Sequence, residues 1–195
     1  MIRPRALVLC ALALSACGPT AKEPTLLEQE AAQENRVASL SGLDRVFEVP
    51  GAAIDAANLF DFQVGPYAPA QGSPAFRAIG KPVLIYGESR ETGNLASFVA
   101  TGSTAEQIDA VTFTLTIKDD RELDLTLRRF ARVVRGYLKR FEIDGAQVEA
   151  AVEANDAAKG QLPEGIWELS RTPAKGNPDQ LIVTFTRPGA TRQSS

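Results

Sequence analysis

Apolar and polar residues alternate strictly over residues 111–117, VTFTLTI. Val111, Phe113, Leu115 and Ile117 take one side, and Thr112, Thr114 and Thr116 take the other. A period of two with one apolar side predicts a half-buried antiparallel strand. The stretches VLIYGES (83–89) and LASFVATG (95–102) predict two more strands, joined by a turn at Gly93-Asn94. GIWELSRT (165–172) and QLIVTFTR (180–187) predict a hairpin around PAKGNPD. Between these groups the period changes to that of a helix. Leu123, Leu127, Phe130, Val134, Tyr137, Leu138 and Phe141 share one side at about 100° per residue. The spacing predicts a helix over 121–140, with Asp119 and Glu122 as its capping box. A second helix over 144–158 follows, with Asp144 and Gln147 at its start and Gly160 as its stop.

The N-terminal part is less regular. Thr25 and Glu28 have capping-box spacing, which predicts a helix over 26–40. Residues 42–82 mix Pro and Gly with Phe47, Phe60, Phe62, Tyr67 and Phe76. They predict one short helix near 52–60 and otherwise a loop whose rings plug the edge of the core, or else line a groove. Ser103 and Glu106 predict one helical turn over 104–108. The expected fold is α+β: an antiparallel sheet of about five strands in the order β-β-β-α-α-β-β, with the helix pair on one face. A helix and an irregular region precede it. One domain spans 26–187, divided into a helical and irregular part (26–82) and the sheet with its helix pair (83–187). A disordered tail is expected over 188–195.

Composition changes this picture mainly by exclusion. The chain has 195 residues, is 44% hydrophobic and carries a formal net charge of −3. That balance is unlike the basic domains that bind nucleic acid. Histidine is absent. This excludes Ser-His-Asp and Cys-His catalysis and every His-ligated metal site. The two cysteines, Cys10 and Cys17, both precede the expected domain, so it has no disulfide, thiolate metal site or iron–sulfur cluster. There is no Gly-x-Ser-x-Gly elbow around Ser103. The acids Asp119, Asp120, Glu122 and Asp124 lack calcium-loop spacing and are read as helix-start charges. No cofactor, metal or catalytic residue is expected, and the reading is non-enzymatic.

Residues 1–17, MIRPRALVLCALALSAC, carry Arg3 and Arg5 before an apolar run too short to span a bilayer. This is the pattern of a secretory signal. Its end, Leu14-Ser15-Ala16-Cys17, resembles the lipobox of bacterial lipoproteins at all four positions. The resemblance covers about the first twenty residues. It implies cleavage before Cys17, diacylation of that thiol and an anchor in a membrane. Two acyl chains hold a protein stably at a bilayer, where one does not. Gly18 in place of Asp after the cysteine points, by the same resemblance, to the outer membrane facing the periplasm. On this reading 1–16 is removed and 17–25 is a lipidated tether. The mature chain then has 19 Lys/Arg against 24 Asp/Glu, about −5.

The stretch RRFARVVRGYLKRF (128–141) holds six Lys/Arg and no acid. On the helix, Arg128, Arg132, Arg135 and Lys139 form a stripe opposite the apolar side. The stripe is either a solvated helix face or a surface for an anionic partner: lipid head groups, lipopolysaccharide, peptidoglycan carboxylates or an acidic protein. Trp167, the sole tryptophan, is read as a core anchor rather than a sugar platform. The expected function is binding or scaffolding in envelope assembly or secretion. A carrier of a small apolar ligand and a carboxylate-only hydrolase are the alternatives. The first needs a continuous apolar cavity, the second two carboxylates facing across a cleft.

Overall fold

In the computed structural model, residues 25–173 and 178–190 are described. The signal, Cys17 and the tether up to residue 24 therefore lie outside the described residues, as do 174–177 in the hairpin loop and 191–195 of the expected tail. The chain divides into two units, 1–35 and 36–195.

The first unit contains most of α1 (Leu26–Ser39), a helix with no buried residue. Its capping box forms as expected. The Thr25 backbone N–H donates to Glu28 Oε2 at 2.7 Å, and the Glu28 N–H donates to Thr25 Oγ1 at 3.3 Å. Those bonds satisfy free donors at the helix start.

In the second unit, α2 (Gly42–Glu48) and α3 (Pro50–Asn58) come first. Then come β1 (Ala68–Pro69), β2 (Phe76–Ile79), β3 (Val83–Tyr86), β4 (Asn94–Gly102) and β5 (Ala110–Ile117). The helix pair is α4 (Leu123–Lys139) and α5 (Ala146–Ala154), and β6 (Ala158–Leu162), β7 (Gly165–Thr172) and β8 (Asp179–Thr186) complete the sheet. The fold is α+β, with an antiparallel sheet of eight strands in the order β1-β2-β4-β5-β8-β7-β6. β3 pairs with β4 on the edge that β2 also uses.

The sheet is larger than the five strands expected. β1 and β2 come from the stretch read as loop, because each is too short to show alternation. β6 begins at Ala158, where the second helix is expected to end. That helix stops instead at Asn155, in the left-handed conformation (φ 56°), and Gly160 lies inside β6 opposite Trp167. α2 was not expected, and its N-cap Ser41 makes no side-chain bond that would mark it. The turn expected over 104–108 is not helical. There Ser103 N–H is taken by Asp109 Oδ2 at 2.8 Å, and Ile108 N–H by the Phe47 carbonyl at 2.7 Å.

The core lies between one sheet face and the helices. Phe98, Phe113, Val183 and Leu169 form a cross-strand row in register, all buried. Tyr137 of α4 packs on Phe113 at 5.0 Å and on Phe98 at 5.9 Å between ring centroids. Phe47 and Phe62 are fully buried in the same cluster and plug the core, whereas Phe60 and Tyr67 are partly buried against it and Phe76 pairs with Tyr67. Trp167 is 3% exposed, a core anchor whose indole lies over Gly160 where a Cβ would sit 2.6 Å from Nε1. The other sheet face presents Ser97, Val99, Thr112, Thr114, Thr184 and Ile182, all half-buried.

Candidate functional site

The start of α4 is set by a buried polar hub. Asn94 is fully buried at the head of β4. Its Oδ1 accepts the N–H groups of Lys118 and Asp119 at 2.8 and 2.9 Å. Its Nδ2 donates to the Asp119 carbonyl at 2.7 Å and to Thr126 Oγ1 at 3.0 Å. Every capacity of the amide is used, as burial requires. The hub ties the end of β5 to the first turn of α4 and so fixes where that helix begins. The capping box expected from Asp119 and Glu122 does not form, and Glu122 as N-cap makes no side-chain bond. Asp119 instead takes the backbone N–H and guanidinium of Arg121. That hydrogen bonding holds its carboxyl well down, at about 2.

α4 buries Thr126, Leu127, Phe130, Ala131, Val134, Tyr137 and Leu138, and Phe141 follows just beyond it. Arg128, Arg132, Arg135 and Lys139 are all exposed, so the stripe points outward as its spacing predicts. Its members are not equivalent. Arg135 forms an ion pair with Glu149 on α5. The side chains of Arg128, Arg132 and Lys139 make no ion pair or hydrogen bond among the described residues. Neither does that of Arg140, which is exposed at the C-cap. Arg129 serves the fold. Its guanidinium donates to the Ile85 carbonyl at 3.1 Å and sits 5.7 Å from the Tyr86 ring centroid. It thereby caps the open edge of β3, a role that helical spacing alone did not reveal.

A second feature had no signature in the sequence. A cleft of about 570 Å³ opens between the α4–α5 connection, the start of α2 and the β6–β7 turn. Phe141, Ile143 and Leu162 line it together with Glu142, Asp144 and Glu164, and no Lys or Arg does. Glu142 and Glu164 both hold positive φ, 61° and 62°, where glycine or asparagine is the usual choice. Asp144 accepts the Ala146 N–H at 3.0 Å and so starts α5. Gln147 does not complete the expected capping box, and its amide donates to the Gln161 carbonyl at 2.9 Å on the edge of β6. Among the described residues no group of three His, Cys, Asp or Glu side chains is placed to hold a metal ion.

Comparison with known proteins adds no relative: no family model, curated protein or solved structure matches the chain significantly. Among the described residues, no helix is long and apolar enough to cross a membrane.

Proposed function

We propose that this chain is a lipid-anchored protein of the cell envelope with a non-catalytic binding or scaffolding role in envelope assembly or secretion. Cys17 is its acylation site, and the outer membrane facing the periplasm is its place. The observation that carries the binding role is the outward face of α4. Arg128, Arg132 and Lys139 stand exposed and unpaired on a helix whose opposite side is fully committed to the core. The helix dipole accounts for Lys139 in the last turn, but Arg128 and Arg132 lie earlier, and like charges four residues apart repel by a few tenths of a kcal/mol. An anionic partner offsets that repulsion.

The filled interior supports this reading over a carrier of an apolar ligand. Phe47, Phe62, Phe98, Phe113, Phe130 and Tyr137 occupy the space between helices and sheet. In the cleft, the one place described where acids gather without a cation, Asp144 is already engaged at the start of α5, which weighs against a carboxylate-only hydrolase there. Cys17→Ser tests the anchor. The expected outcome is an unprocessed precursor that no longer fractionates with membranes as a mature acylated form. A variant that stays membrane-bound at mature size removes the lipoprotein reading.

A further inference from the structure

We infer that the partner of the α4 face is the bilayer surface itself, with anionic lipid head groups seated on Arg128, Arg132, Lys139 and Arg140. The inference rests on the reading of α4 as an anion-binding face and names what that face meets. The first argument is the makeup of the face. Its centre carries charge and no exposed aromatic or aliphatic anchor, since every large apolar residue of α4 points inward or to its flanks. Protein partners are held by buried anchors of that kind, with charges at the rim. Head groups need no pocket, because they are attracted by a basic surface as a whole.

The second argument is orientation. The chain is net acidic, −3 over its full length, yet residues 128–141 contain no acid. The acids Glu142, Asp144 and Glu164 gather instead at the cleft beyond the end of α4. An anionic plane therefore repels the cleft end of the molecule and attracts this helix. That asymmetry selects one way of lying on the membrane. Arg135 is held by Glu149 and adds little. Asp124, exposed one turn before Arg128, marks the N-terminal limit of the basic face.

The test uses the chain from Gly18 onward, which keeps every described residue but carries neither signal nor acyl chain. Co-sedimentation is measured with phosphatidylcholine vesicles and with vesicles containing about 30 mol% phosphatidylglycerol. Binding is expected to the anionic vesicles at about 50 mM salt, and release is expected at about 500 mM, where the Debye length is only a few ångströms. Each cation neutralised lowers the partition coefficient about fivefold, so the Arg128→Gln, Arg132→Gln, Lys139→Gln variant loses roughly a hundredfold. Its thermal midpoint is compared with the parent's to show that it folds. Absence of binding to the anionic vesicles, or equal binding by parent and folded variant, overturns the inference. If vesicles fail to bind while stripe-dependent capture of an acidic envelope protein succeeds, the lipid assignment falls and the binding role stands.

Discussion

Asn94 shows how much of the fold one side chain can hold. Its amide meets three backbone groups and one hydroxyl, all within 3.0 Å. Replacing it with alanine leaves the N–H groups of Lys118 and Asp119 without their acceptor at a buried junction. Asn94→Ala is therefore expected to cost about 3 kcal/mol. Urea unfolding followed by the fluorescence of the sole tryptophan, Trp167, measures that loss. A change under about 0.5 kcal/mol, the ordinary size for a surface position, would show that the hub does not anchor α4. The residue is invisible as a hub in the sequence, where it reads only as the second half of a Gly-Asn turn. Its partners lie 24 to 32 positions away.

At the scale of elements, legibility followed length and period. β5, α4 and the β7–β8 hairpin each repeat their pattern over eight residues or more, and each was readable. β2 and β6 have four and five residues, and β6 (AKGQL) offers one buried side chain, so neither shows a period. The end of the second helix was misplaced because Asn155 fills a left-handed position where glycine is the usual marker, whereas α4 ends and β7 begins within a residue of where the pattern puts them. The same division applies to the candidate site. The direction of the stripe followed from helical geometry. Which of its cations is spent locally depended on Glu149, and the role of neighbouring Arg129 on Ile85, both brought in by tertiary structure.

α1 is the opposite of a core element. All its residues are exposed or half-exposed, with Leu26 and Leu27 at 77% and 76%. Every member of the hydrophobic core lies in the second unit. Deleting residues 1–35 is therefore expected to shift the thermal midpoint by no more than about 2 °C. A larger drop by circular dichroism would mean that α1 contributes to the stability of the core.

For the whole molecule, the absence of histidine leaves no side chain with an ordinary pKa between pH 5 and 8. The groups with shifted pKa lie outside that range. Tyr67 is pushed up to about 12, by burial first and then by the charges of Asp109 and Glu106. Burial also raises the phenol of Tyr137, whose oxygen has no hydrogen-bond partner among the described residues. Both phenols hold their protons more tightly folded than unfolded. The contribution of Tyr67 is complete below the ordinary value near 10 and is lost as pH rises through about 12, and the burial of Tyr137 acts in the same direction. For Asp109, burial acts upward, but hydrogen bonds from Arg187 and Ser103 outweigh it and leave the carboxyl below its ordinary 3.8. Its contribution is present above that value and is lost as pH falls through the folded one. The urea midpoint should be flat from about pH 5 to 9 and decline at both ends. A slope of a kcal/mol per pH unit inside that window would contradict the assignment.

The sheet order carries a consequence for how such a chain is made. β8 lies between β5 and β7, yet it is the last described strand to leave the ribosome. Its Leu181, Val183 and Phe185 are fully buried and complete the rows that β5 and β7 begin. Until they arrive, β5 and β7 present open edges and the core lacks its middle. Strand pairs separated by more than sixty residues must also close against a large loss of chain entropy. The sheet of an emerging chain therefore closes around its middle only after β8 has been made, so β5 and β7 must wait for a partner that follows both in the sequence.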